Sequence, residues 1–387
     1  MKEGWHQATL EDICVVDWGN TNLTKSSYVE RGTFLAVSAA GCDGRIGHSE
    51  HKKHTPVLSA IGAQCGKMFF PLEDFTAIKN TITLTPRSEK CVGKFLYYLL
   101  TFVRLPKRGA GQPFISKGDI QRFRVFFPSL PEQKRIVAIL DEAFEGIDRA
   151  IANTKKNLAN AREVFESYLN SVFRVESDQV PISDLASEVT DGDHSPPPKA
   201  ASGVPFITIS NIIKSTREID FANTFFVPDE YFRGLKANKK PEAGDVLYTV
   251  TGATLGIPVL VRDTADFCFQ RHIGLIRPKP STDSAWLTYA LLSKHAFNQA
   301  TVGSTGTAQK TVSLSVLRNI KVPRIRTAEQ CEIARKLDAI STAAHKLEAV
   351  HQRKLVALRE LKQAVLQKAF AGELTARSVD HLPEAAQ

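Results

Sequence analysis

The sequence predicts an α+β protein made of two similar globular domains, each followed by one long helix. Residues 112–173 align without a gap on residues 309–370, at a constant offset of 197 residues. Short β-rich runs between glycine and proline turns precede each matched stretch, and a long amphipathic stretch lies within it. The duplication indicates a pseudo-two-fold relation between the two halves of the chain.

These patterns divide the chain into five segments. Strand-like runs at 80–85 and 203–209 and helical stretches at 92–104 and 283–300 fall in the two globular parts. The predicted segments are a first globular domain over 1–128, a long helix over 129–175, a second globular domain over 176–324, a second long helix over 325–375 and a tail over 376–387.

The first long helix carries an apolar register from Leu140 to Val172 with an average period of about 3.5 residues. This period keeps one seam facing a partner helix, so we expect the two long helices to form an antiparallel coiled coil. The second helix has a broader apolar stripe, with His351 and Lys354 where a strict seam would be apolar. The alternative is therefore a surface helix that lies on its own domain.

Both long helices carry start signals. Pro131 lies just inside the first helix, at a position where a missing N–H costs nothing. Thr327-Ala328-Glu329-Gln330 fits a capping box, in which the Thr327 hydroxyl and the Gln330 side chain satisfy backbone N–H groups reciprocally.

The charge balance favours a polyanionic partner. The chain has 50 Lys and Arg against 41 Asp and Glu, a net charge of +9. A basic protein with an internal two-fold relation suits duplex DNA, whose sites also have two-fold axes.

The remaining composition is that of a cytoplasmic globular protein. The six cysteines are scattered and form no C-x-x-C pair, which is typical of reduced thiols. The N-terminus has no signal-peptide pattern. The longest apolar run, 95–103, is far shorter than the roughly 20 residues that span a bilayer, so we expect no membrane association.

Several motifs argue against a built-in active site. The stretch from Gly62 to Lys67 has three residues between its glycines where a phosphate loop has four, so we interpret it as a turn between strands that Gly256 matches in the second copy. No glycine-rich dinucleotide fingerprint, no Gly-x-Ser-x-Gly and no His-Glu-x-x-His is present.

A metal site is the weaker interpretation of one histidine cluster. His48, His51 and His54 lie three residues apart and could ligate zinc, but their spacing matches no common zinc module. We favour a basic turn and expect no metal.

Basic residues near glycines are the candidate DNA contacts. Lysine and arginine neutralise phosphates, glycine lets the backbone approach closely, and glutamine can hydrogen-bond a base edge. For any single residue the alternative is a solvated loop. The candidates are Arg45, His48, Lys52, Lys53, Lys107, Arg108, Gln112, Lys117, His194, Lys199, Lys236, Lys239, Lys240, Gln309 and Lys310.

The start of each long helix and several stretches of the globular domains resemble a known family. Glu132-Gln133 and the following residues to Asp141 are similar to the start of the conserved helix in specificity subunits of type I restriction-modification systems, and the Glu-Gln pair recurs at Glu329-Gln330. Three further stretches resemble that family's target-recognition domains: 190–194, 203–207 and 244–247. So does Gly109-x-Gly111-Gln112, which recurs less strictly as Gly306-x-x-Gln309. The resemblance covers essentially the whole chain.

The resemblance implies an architecture and a function. Two α/β target-recognition domains in pseudo-two-fold arrangement would be separated by two long helices in an antiparallel coiled coil. Each domain would read one half of a bipartite double-stranded DNA target, and the helices would set the gap. Helix pairing or partner docking would involve Glu132, Gln133, Leu140, Ile147, Leu158, Phe165, Glu329, Gln330, Leu337, Leu347, Leu358 and Val365.

The resemblance also implies a non-catalytic chain. Adenine methyltransferase subunits, of which we expect two, would bring S-adenosylmethionine, and restriction subunits with ATP-dependent endonuclease activity would bring ATP and Mg²⁺. The alternatives are a specificity subunit of a related non-type-I or methylation-only system, a DNA-binding enzyme with a divergent active site, and a DNA-independent coiled-coil adaptor.

Overall fold

The computed structural model of the protein describes residues 4–174, 178–194, 196–262, 265–304 and 310–374. The chain separates into two compact units. Unit 1 contains the residues up to Lys155 together with those from Arg353 onward, and unit 2 contains Lys156–Gln352. Each long helix therefore contributes one part to each unit.

The described residues up to 174 contain short strands, short helices and one long helix. The strands are β1 (Trp5–Thr9), β2 (Cys14–Trp18), β3 (Phe34–Ser38), β4 (Gly41–Ile46), β5 (Val57–Ser59), β6 (Met68–Phe69), β7 (Phe75–Ala77), β8 (Thr81–Pro86) and β9 (Arg124–Pro128). The helices are α1 (Leu10–Ile13), α2 (Gly93–Phe102), α3 (Lys117–Gln121) and α4 (Leu130–Val172).

The described residues from 178 onward repeat this order. The strands are β10 (Gln179–Pro181), β11 (Ala186–Asp191), β12 (Val204–Ile207), β13 (Ile212–Ile213), β14 (Glu218–Ile219), β15 (Phe225–Val227), β16 (Val246–Thr249), β17 (Pro258–Leu260), β18 (Cys268–Phe269), β19 (Ile273–Pro278) and β20 (Lys321–Pro323). The helices are α5 (Ile182–Leu185), α6 (Asp229–Gly234), α7 (Ser284–Leu292), α8 (Lys294–Val302), α9 (Leu314–Asn319) and α10 (Thr327–Ala371).

The two units share one strand plan. Unit 1 has an antiparallel sheet in the order β2-β8-β5-β6, a mixed sheet β4-β3-β7 and a ribbon β1-β9. Unit 2 has the corresponding sheets β11-β19-β16-β17, β15-β12-β18 and β10-β20. In both mixed sheets the middle strand pairs parallel with one neighbour, β3 with β7 and β12 with β18. The predicted α+β fold class with an internal repeat is confirmed.

One insertion distinguishes unit 2. The β13–β14 hairpin lies within residues 208–224, between β12 and β15. In unit 1 the equivalent strands, β3 and β4, are joined by the short turn at Ala39-Ala40.

The helix predicted over 283–300 is two helices, α7 and α8. Ser293 separates them in an extended conformation and caps α8, because its side chain accepts a hydrogen bond from the Ala296 N–H at 3.3 Å. Serine competes well for such cap positions, which explains the break.

The two long helices, of 43 and 45 residues, pair within each unit. In unit 1 the beginning of α4 packs against the end of α10, where Leu140 and Phe144 share a core cluster with Leu366 and Ala369. In unit 2 the opposite ends meet, and the core cluster includes Phe165, Leu169, Leu337 and Ala344. The helices therefore run antiparallel, as predicted.

The predicted seam is right for α4 and partly wrong for α10. Every seam residue from Leu140 to Val172 is buried or half-buried. Two leucines of the apolar stripe predicted for the second long helix, Leu347 and Leu361, are 50% and 48% exposed, whereas the polar Ser341 of α10 is buried. Leu347 therefore lies largely outside the buried face of α10, which is formed mainly by apolar residues such as Leu337, Leu355 and Leu366.

The capping box predicted for α10 is also wrong. The Thr327 hydroxyl donates to the Ser281 carbonyl at 2.6 Å, and the Gln330 amide donates to the Ile325 carbonyl at 2.8 Å. Both side chains bind the domain rather than each other's backbone, so tertiary contacts override the local motif.

Candidate nucleic-acid interface

In unit 1, two glycine-containing loops meet at one end of the four-stranded sheet. They are residues 60–67, which join β5 to β6, and residues 107–115, which precede α3; we call them the double loop. The Ile115 N–H donates to the Ala60 carbonyl at 2.8 Å, and the Gly62 N–H donates to the Pro113 carbonyl at 3.0 Å. The predicted turn between strands is confirmed, and it lies beside the loop that contains Gln112.

Glycines make the tight path of the double loop possible. Gly62, Gly66 and Gly109 have φ values of +101°, +88° and +82°, which L side chains rarely adopt. A Cβ at Gly66 would lie 2.6 Å from the Lys107 Cε, so the lysine stem crosses directly over this glycine. The absence of a side chain at Gly66 therefore leaves the room in which the Lys107 stem lies against the backbone of the first loop.

The double loop exposes cations and amides. Gln64, Lys67, Lys107 and Gln112 are exposed. Across the described ranges, no carboxylate lies within 4.0 Å of the Lys67 or Lys107 ammonium. The sequence interpretation did not include Gln64 and Lys67 among the DNA contacts, and only the pairing of their loop with the loop that contains Gln112 reveals them.

Two of the predicted basic residues, one in the double loop and one beside it, are paired with acids. Arg108 contacts Asp119 at 2.5 Å, and Lys117 contacts Asp17 at 2.8 Å. Hydrogen bonding from Ser116 and then the charge of Arg108 lower the pKa of Asp119. These ion pairs fix the loop, and they partly neutralise its charge.

In the described residues of unit 2, two loops meet in the same way at the end of the four-stranded sheet. Thr251 and Thr311 form an antiparallel bridge, and the Val312 N–H donates to the Val250 carbonyl at 2.9 Å. Lys310 is exposed beside them. The candidate Gln309 lies outside the described residues.

Further candidates in unit 1 lie on β4 of the mixed sheet and in the connection that follows it. Arg45 pairs with Glu73 at 2.7 Å and Lys52 pairs with Asp74 at 2.9 Å. The backbone N–H of Lys53 donates to the same Asp74. His48 lies 3.3 Å from Glu50.

The three histidines of this stretch have separate surroundings, since His51 packs on Phe75 and His54 stacks on Phe70. In the portion of the chain that is described, no group of three His, Cys, Asp or Glu side chains is placed to hold a metal ion.

In unit 2 a second group of candidates surrounds Asp191. Lys239 and His194 contact opposite oxygens of this carboxylate at 2.8 and 2.9 Å. Burial alone would raise the pKa of Asp191, but these two neighbours lower it below its usual value. Lys240 and Lys199 lie over aromatic rings, and Lys236 is exposed.

The glutamines of the predicted Glu-Gln pairs, Gln133 and Gln330, lie at the joints where each long helix packs against its domain. The Gln133 amide is fully buried; it donates to the Lys90 and Pro128 carbonyls and accepts from the Val92 N–H, just before α2. In unit 2 the buried Gln330 accepts from the Asp283 N–H, just before α7.

Tyrosine–aspartate bonds strengthen both joints. Tyr98 donates to Asp141 at 2.6 Å and Tyr289 donates to Asp338 at 2.7 Å. Burial and the neighbouring carboxylate raise the pKa of both tyrosines, which keeps each hydroxyl as a donor. The repeat is therefore preserved in contacts as well as in sequence.

These joints predict a stability effect. Gln133→Leu leaves two carbonyls and one N–H unpaired inside unit 1, and we expect it to lower the free energy of unfolding by about 3 kcal/mol. Gln330→Leu should cost about 2 kcal/mol because fewer hydrogen bonds are lost. Urea denaturation followed by circular dichroism measures both, with the exposed Lys134→Ala as the control. Equal stability of Gln133→Leu and Lys134→Ala would refute the structural role of the glutamine.

The outer faces of the long helices carry apolar residues. In unit 2, Val164, Leu347 and Val350 are 61%, 50% and 49% exposed. In unit 1, Val356 and Leu361 are 44% and 48% exposed. Large exposed apolar side chains on helices are typical of surfaces that contact other proteins. Among the described residues, none of the helices combines the length with the apolar composition that a membrane span requires.

Comparison with known proteins identifies the family. The profile of the type I restriction modification DNA specificity domain matches residues 2–160 and 173–356. The chain is 20% identical over 351 residues to the specificity subunit of the type I restriction enzyme MjaVIII from Methanocaldococcus jannaschii. That match spans 82% of this chain and 79% of that protein. It is also 28% identical over 172 residues to the EcoBI specificity subunit from Escherichia coli, a match that spans 44% of this chain and 33% of that protein.

Solved structures show the same fold. A chain from a structure reported for the complex assembly and conformational transition of the type I restriction-modification system aligns with a TM-score of 0.71 and 19% identity, over 96% of this chain and 98% of that chain. The HsdS subunit from Thermoanaerobacter tengcongensis aligns with a TM-score of 0.54, 18% identity and the same coverage. With two profile matches that together span most of its length, this chain belongs to the family of DNA specificity subunits of type I restriction-modification systems.

Proposed function

We propose that this chain reads a bipartite DNA target, with one half-site per unit, for a type I restriction-modification complex. The observation that carries the proposal is the repetition of one strand plan in both units, each of which joins two loops at the end of its four-stranded sheet. A duplicated reader suits a target with two separated half-sites.

In unit 1 the double loop would supply the DNA contacts. Lys67 and Lys107, which have no carboxylate partner in the described ranges, would neutralise phosphates and fix the register on the duplex. The exposed amides of Gln64 and Gln112 would hydrogen-bond base edges, where glutamine pairs well with adenine.

The long helices would act as the spacer and as the docking surface. Methyltransferase subunits would pack on the exposed apolar residues of the long helices, flip the target adenine and bring S-adenosylmethionine. Restriction subunits would bring ATP and Mg²⁺. The chain itself would contribute placement of the target, without a cofactor or a bond-making step.

A salt titration with loop variants tests the DNA contacts. Each phosphate contact adds about 0.9 to the slope of log K against log salt, so Lys67→Ala with Lys107→Ala should lower that slope by about 1.8. Gln112→Ala should leave the slope unchanged and relax the base preference in one half-site only. Fluorescence anisotropy with the assembled methyltransferase complex measures both.

The matched control is Lys25→Ala, since Lys25 is exposed but already paired with Asp43 at 2.6 Å. An unchanged slope in the double-loop variant would remove these lysines from the DNA interface. Absence of salt-dependent DNA binding by the wild-type complex would instead favour a coiled-coil adaptor.

A further inference from the structure

The inserted hairpin of unit 2 brings an arginine onto the paired long helices of that unit. Arg217 lies at the hairpin turn with a φ of +58°, and its N–H donates to the Ile213 carbonyl at 2.8 Å. A positive φ is uncommon for a residue other than glycine, so the turn holds this side chain in a sparsely populated conformation.

The guanidinium of Arg217 is poorly paired. Its centre lies 5.4 Å from the centroid of the Phe165 ring, and its one described hydrogen bond goes to the Ser341 hydroxyl at 3.4 Å. Considering the described residues, no carboxylate oxygen lies within 4.0 Å. Burial lowers the pKa of this group, and the charge of Glu348, which is not in direct contact, opposes that shift only in part. A guanidinium has five N–H donors, and a half-buried cation without an anion in direct contact is costly.

In unit 1 the corresponding cation has its counter-ion within the unit. Lys362 of α10 lies over the Phe144 ring at 4.7 Å and contacts both oxygens of Asp148 at 2.8 Å. The cation therefore has an aromatic ring on one side and a carboxylate as its counter-ion, both from α4.

The repeat shows what unit 2 lacks. At the offset of 197 residues, His345 stands where unit 1 has Asp148. Phe165 stands opposite Lys362, so in unit 2 the aromatic ring comes from the helix and the cation comes from the hairpin. The carboxylate is the one member of the unit 1 arrangement that has no counterpart, and its position is taken by a histidine.

A groove leads to this position. It has a volume of about 820 Å³ and runs between the paired helices, the hairpin and the start of α8, with Arg217 and His345 among its lining residues. Lys214 and Lys294 are exposed at its edge, and apolar side chains, including Phe297, form part of its wall.

Two acids also line the groove, but one of them is already engaged. Glu348 pairs with Arg162 at 3.2 Å, which leaves Glu166 as the other acidic lining residue. Because Lys214, Lys294 and Arg217 outnumber Glu166, the net charge of the groove lining is positive.

We propose that this groove binds an acidic segment of the methyltransferase subunit, one carboxylate of which pairs with Arg217. The inference rests on the proposed function, in which that subunit docks on this chain. A protein segment suits the groove better than DNA does, because the groove combines a cationic edge with apolar walls and a sugar–phosphate backbone has no apolar side chains. A carboxylate also matches the guanidinium in a bidentate pair.

Two variants test the proposal, one that removes the cation and one that supplies it with an internal counter-ion. Arg217→Gln removes the cation, and we expect it to weaken methyltransferase binding about 30-fold or more, as for the loss of a desolvated charge pair. His345→Asp copies unit 1 and supplies an internal counter-ion, so it should weaken binding about tenfold while it raises the melting temperature. A loss of binding together with a gain of stability is not a folding defect.

Isothermal titration of the methyltransferase subunit into the full chain, without DNA, gives the readout. Arg233→Gln, an exposed arginine of unit 2 outside the groove, is the control and should bind as the wild type does. Wild-type binding that both variants retain would overturn the groove inference and leave the proposed function intact. DNA binding that falls in Arg217→Gln while methyltransferase binding stays unchanged would assign the groove to DNA, which also overturns it. A wild-type chain that does not bind the methyltransferase at all would overturn the proposed docking itself.

Discussion

Exchange of residues 178–324 for the same segment of another family member should change one half of the recognised DNA sequence and leave the other half unaltered. The structure favours such a graft because the segment begins and ends in one ribbon. β10 pairs antiparallel with β20, and the Arg324 N–H donates to the Asp178 carbonyl at 3.0 Å. Its two ends are therefore adjacent, and the graft need not move the long helices.

The graft must keep the contacts at the joint. Tyr289 donates to Asp338 on α10, Asp283 binds Gln330, and Phe173 packs on Trp286 with ring centroids 6.0 Å apart. A donor with the same residues at these positions avoids unpaired buried groups.

Mapping of methylated adenines by long-read sequencing measures the specificity of the graft. The reciprocal exchange of residues 5–128 is the matched control and should alter the other half-site. A change in both halves after a single exchange would mean that the two units do not read independently.

Insertion of seven residues into each long helix should lengthen the gap between the half-sites. The insertion points are the unit boundaries, after Lys155 in α4 and after Gln352 in α10, so that the contacts inside each unit stay intact. Seven residues add about 10.5 Å of helix, which corresponds to about three base pairs at roughly 3.4 Å each. The added rotation is only about 20°, so each helix keeps nearly the same face toward its partner.

Two controls separate spacing from pairing. Insertion into α4 alone should abolish methylation, because the two helices then no longer match between the units. Seven residues inserted at Ala39-Ala40, the turn between β3 and β4, should leave the gap unchanged. A gap that is the same after insertion into both long helices would mean that they are not the spacer.

The sequence predicts the parts of this fold that depend on repeated local signals. The repeat follows from matched residues, and the two long helices follow from apolar residues at helical spacing. The prediction of the α4 seam is right because the residue at each seam position is apolar or small, so that the local sequence pattern and the tertiary packing agree.

The sequence predictions fail where contacts between residues distant in sequence determine the structure. The α10 seam includes Ser341, which receives a hydrogen bond from Arg217 of the inserted hairpin, and no helical pattern encodes that contact. Thr327 and Gln330 match a capping box, yet domain carbonyls bind both side chains. In the double loop, the segments that contain Lys67 and Gln112 are joined only by backbone hydrogen bonds between residues distant in sequence, so the sequence does not reveal that the two segments meet.

The central claim is that two units of one plan read two separated half-sites. The most direct measurement is a genome-wide map of methylated adenines in a host without other methylation systems, which expresses this chain with its methyltransferase subunit. We predict that every modified adenine lies in a motif of two specified halves separated by a fixed number of unspecified bases. A continuous motif, or the same methylation pattern without this chain, would contradict the account.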